Sequence, residues 1–296
     1  MTYTFYPASD RSISVEEYVD HVRTHVDTRD LESVAASAVK LKELANNRTF
    51  AAETLNRQLA TDGPNGLAFY STQSAVIASG PDVAVRLNLW PEACADPRRQ
   101  KANNQVFSYY APHDHNFAFM TVGYYGPGYG TRLYECDPAK ITGYVGERVD
   151  LTFAEETSLP EGKVMLYRAY KDIHTQMPPP SFSMSLNLML GNRYDGIIQQ
   201  HYYDIERGVI SDYVESLSSK RVSVVECLRF IGNENSKDIL DRLSRLHPCV
   251  RTRWAAFETL AALEPERAEA HWCAAARDRD PLMKHAATTR LRASNR

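Results

Sequence analysis

The sequence predicts an α+β protein in which a β-sandwich or β-barrel lies between two helical regions. Two observations support this prediction. Apolar residues recur at helical spacing before residue 62 and again from about residue 211, whereas the middle of the chain consists of short β-rich runs separated by turn sequences. We therefore divide the chain into a helical N-terminal region (1–61), a β domain (62–208) and a helical C-terminal region (209–296).

The N-terminal region begins with "SVEEYVDHVRTHV", which predicts an amphipathic helix. Ser14 is a plausible N-cap, and Glu17, three residues later, completes a capping box. The apolar side chains that share one face are Val15, Tyr18, Val19, Val22 and Val26. His21 and His25 lie four residues apart on this helix, but no third ligand accompanies them, so we expect solvated or core-edge histidines.

The β domain contains runs such as "VAVRLNLW", "QVFSYYA", "FAFMTVGYY", "GTRLYECD" and "FSMSLNLML". The turn sequences between such runs include "GPGYG", "LPEG" and "MPPP". Many short strands at nearly regular spacing favour a sandwich or barrel over βαβ units. We expect "FAFMTVGYY" and "GTRLYECD" to form a hairpin around the Gly-Pro-Gly at residues 126–128.

The C-terminal region contains two segments that echo one another, "HPCVRTRWAAFETLAAL" and "RDPLMKHAATTRL". Each opens with a polar residue and a proline, carries a basic residue three positions later (Arg251 and Lys284), and continues through Ala-Ala toward a leucine. This pattern resembles the helical hairpins of HEAT-like repeats, which implies a surface for a protein partner. A helical cap on the β domain is the alternative.

Composition restricts the partners and the compartment. The net charge of −3 over 296 residues gives no electrostatic reason to expect nucleic acid or an anionic membrane as a partner. The five cysteines include no Cys-x-x-Cys, so we expect neither a disulfide framework nor a zinc knuckle. Neither a signal peptide nor an apolar run of about 18 residues is visible. These features predict a cytoplasmic protein without a membrane span.

The stretch "PHDHNFA" contains the residues with the clearest chemical meaning. Alternate side chains of a strand share a face, so His113 and His115 would direct two imidazoles into one space, with Asp114 facing away. Such a pair is suited to a transition metal. After the "LPEG" turn, a return strand in an antiparallel barrel would bring His174 beside the pair. The alternative is a set of polar histidines on exposed strands.

Residues 67–205 resemble the cupin superfamily. "HDH" matches the paired ligands of the first cupin motif, and "LPEGKVMLYRAYKDIH" matches the Pro-x-Gly turn and later histidine of the second. This resemblance implies a cupin-type double-stranded β-barrel (jelly roll) as the core. The glutamate expected four or five residues after the histidine pair is absent. The nearest later acid on a strand is Glu135, a possible additional ligand.

In lacking that glutamate, the sequence resembles cysteine dioxygenase-type cupins, which hold iron with three histidines. "PHDHNFAFMTVGYYGPGYGTRLYEC" and "IHTQMPPPSFSMSLNLML" look like the ligand-bearing segments of that group. The resemblance implies Fe(II) held by His113, His115 and His174, with O2 as co-substrate and Arg86 as a carboxylate anchor. The serine of the group's Ser-His-Tyr relay is kept at Ser185, but its histidine is replaced by Asn187.

The resulting functional hypothesis is a metal-dependent oxygenase that oxidises a small anionic substrate, such as an amino acid or thiol. Tyr109, Tyr124 and Tyr170 lie on strands predicted to flank the site and could offer a hydroxyl to O2 or substrate, and Asn187 could hydrogen-bond a ligand. Another divalent transition metal is the alternative to iron. Two other functions stay open: a non-catalytic or sensory cupin whose C-terminal helices bind a partner or a second copy, and an O2-independent isomerase or lyase.

Overall fold

A computed structural model describes residues 3–61, 72–80, 83–191 and 199–294 of the chain. Contacts between residues divide the chain into two compact units. The barrel unit comprises Met1–Pro138, Asp150–Arg193 and Tyr203–Gly208, and the helical unit comprises Ala139–Val149, Tyr194–Tyr202 and Val209–Arg296. The predicted α+β class is confirmed, and each unit is described by itself below.

Two antiparallel sheets form the barrel unit. Their strands are β1 (Tyr3–Phe5), β2 (Ser74–Ser79), β3 (Val83–Trp90), β4 (Ala118–Tyr125), β5 (Gly130–Glu135), β6 (Thr152–Ser158), β7 (Val164–Tyr167), β8 (Asp172–Met177) and β9 (Ser183–Leu190). The larger sheet has the order β1-β7-β4-β9-β3-β2 and the smaller one β6-β5-β8. Aromatic side chains of the larger sheet, such as Trp90, Phe119 and Tyr167, pack with Leu133 of the smaller sheet in one buried cluster. The core is therefore a double-stranded β-barrel of the cupin type.

The larger sheet has two different faces because side chains alternate along its strands. On β4, Met120, Val122 and Tyr124 face the N-terminal helices, whereas Phe119 joins the cluster inside the barrel. The helices are α1 (Val15–His25), α2 (Leu31–Ala36), α3 (Ala38–Asn46) and α4 (Phe50–Thr61). The predicted capping box of α1 is confirmed by reciprocal bonds between Ser14 and Glu17.

Two expectations for the β domain were wrong. "QVFSYYA" is not a strand: its first residues end helix α5 (Pro97–Val106), which Asp96 caps at its N-terminus. The hairpin around residues 126–128 is also absent, since β4 pairs with β7 and β9 while β5 pairs with β6 and β8. The turn instead carries the chain from one sheet to the other. Gly128 has φ +80° there, and an added Cβ would lie 1.9 Å from the Leu159 carbonyl oxygen.

The chain continues through β10 (His201–Asp204) and β11 (Val209–Tyr213) into five helices. These are α6 (Leu217–Ile231), α7 (Glu234–Leu246), α8 (Val250–Leu263), α9 (Ala268–Ala275) and α10 (Pro281–Ser294). The two segments that echo one another in sequence form α8 and α10, while the likeness to HEAT repeats stays a prediction. In the part of the chain described, no helix has the length and apolar character needed to cross a bilayer.

Candidate metal centre

The three histidines meet where the segment before β4 approaches β8. The backbone N–H of His113 donates to the His174 carbonyl (3.0 Å), and the N–H of His174 donates to the His113 carbonyl (2.9 Å). The expectation that both early histidines lie in a regular strand was wrong. His113 forms one isolated antiparallel bridge, and His115 lies outside any strand. This single bridge nevertheless holds His113 directly beside His174.

The imidazole nitrogens converge on one point. Nε2 of His174 lies 3.0 Å from Nε2 of His115 and 3.2 Å from Nε2 of His113. Transition-metal ions bind histidine nitrogen at about 2.1 Å, so two such ligands at right angles are about 3 Å apart. The spacing therefore fits one ion held on a single side by three nitrogens. Among the described residues, no other His, Cys, Asp or Glu joins this group.

The protonation state of the buried histidines also favours metal binding. Nδ1 of His113 lies 2.8 Å from the Ala111 carbonyl oxygen, which only accepts, so Nδ1 carries the proton and Nε2 keeps its lone pair. Burial lowers the pKa of His113. Burial also holds the pKa of His174 well below its usual value, with further lowering by His113, His115 and Arg86. Both buried imidazoles are therefore neutral at pH 7, which is the state that binds a metal.

Gln176 stands two residues after His174 on β8 and on the same face of the strand. Its amide nitrogen lies 3.4 Å from Nδ1 of His174, and its buried amide oxygen has no hydrogen-bond partner among the described residues. A half-turn of the amide would let that oxygen accept from Nδ1–H and leave Nε2 of His174 as a lone-pair donor. The sequence reasoning missed Gln176, although strand alternation was sufficient to find it.

Aromatic rings enclose the histidines. The ring of Phe119 lies 5.0 Å from His115, and the ring of Tyr167 lies 5.0 Å from His174. Phe119 and Tyr167 stack on each other at 4.5 Å, and Phe117 stacks on His115 at 4.9 Å. These rings form an aromatic wall beside the imidazoles. Such a wall limits water around the imidazoles and strengthens electrostatic interactions there.

A polar row crosses the inner face of the larger sheet. Arg86 of β3 pairs in register with Asn187 of β9, which pairs with Thr121 of β4. Thr121 donates to the Asn187 side-chain oxygen (2.9 Å), and Ser185 donates to the same oxygen (3.3 Å). Arg86 lowers the pKa of His174, so its charge acts on the histidine cluster. The two predicted substrate-binding residues therefore lie side by side in the barrel.

Two of the three predicted catalytic tyrosines border the cluster through their backbones. Tyr170 donates its N–H to the His115 carbonyl (2.8 Å) and has φ +59°, a left-handed conformation that is costly for a tyrosine. Tyr109 forms a bridge with Gln176, while its hydroxyl donates to the Pro91 carbonyl (2.8 Å). The Tyr109 hydroxyl is thus engaged away from the histidines. Tyr170 fixes the backbone position of His115.

Tyr124 and Glu135 are placed elsewhere, so their proposed roles need correction. Tyr124 lies on the outer face of β4, and its hydroxyl donates to the Asn47 carbonyl (3.1 Å) because strand alternation turns it away from the barrel. The Glu135 carboxylate accepts from Arg168 (2.9 Å), which also binds Asp172 (2.5 Å). This ion-pair network explains why Glu135 does not belong to the histidine group.

Asp114, between the two early histidines, is buried rather than solvated. Its Oδ2 accepts from the Tyr203 hydroxyl (2.8 Å), and Tyr203 also donates its N–H to the Pro112 carbonyl (2.9 Å). Tyr203 therefore ties the His-Asp-His segment to β10. Sequence reasoning missed this pair, since 89 positions separate the two residues and nothing in the local pattern connects them.

Comparison with known proteins adds little about function. No family model matches the chain, and no curated protein matches it. Solved structures with similar regions include the DMSP lyase DddQ from Ruegeria pomeroyi DSS-3, at 14% identity over 39% of this chain and 45% of that one, with a TM-score of 0.24. Salicylate 1,2-dioxygenase from Pseudaminobacter salicylatoxidans is 10% identical over 48% of this chain and 33% of that one, with a TM-score of 0.26.

Vicilin from Solanum melongena is 14% identical over 49% of this chain and 34% of that one, with a TM-score of 0.29. The chain thus spans less than half of the length of each of these three proteins. Such distant similarity says nothing about the reaction. The strand order defines the fold, and the histidine cluster is the feature that points to a function.

Proposed function

We propose that the protein is a metal-dependent oxygenase that holds iron(II) with His113, His115 and His174. The observation that supports this proposal is the convergence of three imidazole nitrogens, two of them on buried histidines, at the spacing of ligands to a single ion. Three neutral ligands leave coordination positions open, which distinguishes a catalytic from a closed structural site. Bound iron(II) would supply the redox chemistry that lets O2 react with a substrate.

The substrate is proposed to be a small anion, such as an amino acid or a thiol. Neutral imidazoles do not cancel the charge of a divalent ion, so an anionic group would be favoured beside it. Arg86, in register with Asn187 on the inner face of the larger sheet, would bind a carboxylate through its paired N–H donors. The hydrogen bonds from Thr121 and Ser185 would keep the Asn187 amide in one orientation.

We propose a role for two further tyrosines, which are buried inside the barrel. Tyr129 and Tyr167 belong to the same buried cluster inside the barrel, and burial raises the pKa of both hydroxyls, that of Tyr129 to about 12. Both hydroxyls would stay protonated at neutral pH and would act as hydrogen-bond donors rather than bases. We propose that they orient a substrate oxygen or O2, because Tyr167 packs directly against His174.

A second candidate function is an O2-independent lyase or isomerase. The same donor set favours it, because three imidazoles bind several divalent metals and do not require a redox-active one. The protonated hydroxyl of Tyr129 could then supply a proton to a leaving group. Turnover of a substrate under strictly anaerobic conditions would identify this function and exclude the oxygenase.

The test combines metal content with O2 consumption. We expect near-stoichiometric iron in the protein, and we expect His113→Ala to lose both the iron and any O2 consumption with amino-acid or thiol substrates. His25→Ala, at the exposed member of the histidine pair on α1, is the matched control and should change neither. Full iron occupancy in His113→Ala would contradict the proposed ligand set.

A further inference from the structure

The helical unit contains a cavity of its own, with a volume of about 250 Å³. It is lined by side chains from β11, α6, α8, α10 and the segment Ala139–Val149. Liquid water occupies about 30 Å³ per molecule, so the cavity has room for about eight waters. This is slightly smaller than the pockets of about 300–1,000 Å³ that take drug-sized ligands. The volume suits a molecule of amino-acid size.

Aromatic rings form the walls of this cavity and are held in place by neighbours. Tyr144 stacks on His285 with ring centres 3.7 Å apart, and Trp254 packs against Trp272 at 5.4 Å. Tyr213 donates its hydroxyl to a backbone carbonyl (3.0 Å). Rings fixed in this way lose little freedom when a ligand binds, which favours binding of a flat apolar group.

Arg251 supplies one charge to the cavity. Its Nη1 donates to the side chains of Gln199 and Ser219, and its guanidinium carbon lies 4.4 Å from the centre of the Tyr213 ring. Within the described residues, Nε and Nη2 of Arg251 have no hydrogen-bond acceptor. A guanidinium held at one side, with two adjacent donor groups left, is suited to a carboxylate.

Glu226 supplies the opposite charge. It lines the same cavity from α6, is exposed, and forms no ion pair with Arg251 or any other cation that the structure describes. One cavity therefore presents a cation and an anion that do not neutralise each other, next to an aromatic wall. We propose that it binds a zwitterionic α-amino acid with an apolar side chain: Arg251 takes the carboxylate, Glu226 the ammonium group, and the rings the side chain.

The test is isothermal titration calorimetry of the full chain with three probes that share one ring: L-phenylalanine, 3-phenylpropionate and phenethylamine. Loss of one charge-assisted hydrogen bond weakens binding by about tenfold or more, so L-phenylalanine should bind at least about tenfold more tightly than either of the other two. Equal affinities for the three probes, or no binding of any of them at the highest soluble concentration, would overturn the proposal.

Two variants assign the charges separately. Glu226→Gln should reduce the affinity for L-phenylalanine to that for 3-phenylpropionate, and Arg251→Gln should reduce it to that for phenethylamine. Arg245→Gln, at an exposed arginine of α7, is the matched control and should change nothing. Unchanged affinity of the Glu226→Gln variant for L-phenylalanine would contradict the proposal. Because Glu226 is exposed, we expect this variant to fold normally, and thermal unfolding checks that it does.

The cavity proposal is independent of the proposed oxygenase function. His113→Ala should bind L-phenylalanine as the native protein does, so failure of the metal site and failure of this cavity are distinguishable. Probe binding that disappears as the protein concentration rises would indicate that a second copy of the chain fills the cavity, which would overturn the small-molecule assignment.

Discussion

The hydrogen bond between Tyr203 and Asp114 has a consequence that can be measured without knowing the substrate. Tyr203→Phe keeps the ring and removes only the hydroxyl that donates to the Asp114 carboxylate at 2.8 Å. A hydrogen bond to a charged group contributes about 1.5–3 kcal/mol. Asp114 is 2% exposed and Tyr203 3%, so water cannot easily replace the lost donor. We expect the free energy of unfolding to fall by about 2 kcal/mol.

The same substitution should weaken metal binding. Asp114 lies between His113 and His115, so a less firmly held carboxylate leaves both imidazoles less well positioned. Loss of a hydrogen bond to a ligand itself typically reduces metal affinity by about 10–100-fold. We expect at most the lower end of that range, because Asp114 is a neighbour of the ligands and the bridge from His113 to His174 remains. Urea unfolding followed by circular dichroism measures stability, and competition with a chromogenic chelator measures affinity.

Tyr125→Phe is the matched control, because its ring is 54% exposed and its hydroxyl bonds to no residue that the structure describes. It should leave stability and metal affinity unchanged. Ordinary surface substitutions change the free energy of unfolding by up to about 0.5 kcal/mol. A change within that range in Tyr203→Phe, together with a metal affinity equal to that of the native protein, would refute the reasoning.

Three further predictions concern stability and the excluded tyrosine. Gly128→Ala should destabilise the barrel by more than about 3 kcal/mol in urea unfolding, since its Cβ would lie 1.9 Å from a carbonyl oxygen. Gly146→Ala, with a similar φ of +90° but open space around it, should cost only about 1–2 kcal/mol. Burial alone would raise the pKa of Asp278, but Arg253 outweighs it and the pKa is lowered. A lowered folded pKa means that this ion pair stabilises the protein above the ordinary aspartate pKa of about 3.9 and is lost as the pH falls through the folded value. The stability difference between native protein and Asp278→Asn should therefore shrink below pH 4, and a constant difference would contradict this. Tyr124→Phe should retain full metal content and O2 consumption and lose about 1 kcal/mol of stability; loss of turnover would restore Tyr124 to the site.

The sequence was sufficient to find the histidine cluster, from the spacing of its histidines, and most strands of the barrel, from their β-rich runs. Strand alternation was the wrong basis for the histidine pair, since His115 lies outside any strand, but it holds along β4. The same rule, applied further, would have excluded Tyr124. Phe119 points into the barrel, and Tyr124 is five positions later, an odd separation that places it on the outer face. Strand β6 was missed for a different reason: "TFAEETS" has few apolar residues because it forms an edge of the smaller sheet.

Other features depend on contacts that no local pattern encodes. The Asp114–Tyr203 bond joins residues 89 positions apart, and the register of Arg86 with Asn187 follows from the pairing of β3 with β9. Glu135 forms an ion pair with Arg168, which lies 33 positions later in the chain and is brought beside β5 only by the fold. Sequence reasoning named Arg86, Asn187 and Glu135 as candidates, but only the tertiary structure separates those in the barrel from the one held elsewhere.

The most direct test of the account is the metal content of the purified protein and of His174→Ala, measured by elemental analysis after both have been loaded with iron(II) and desalted. His174 holds the central position, since its Nε2 is within 3.2 Å of both other imidazole nitrogens. The account predicts about one iron per chain in the native protein and almost none in the variant. Equal iron in the two proteins, or none in either, would contradict it.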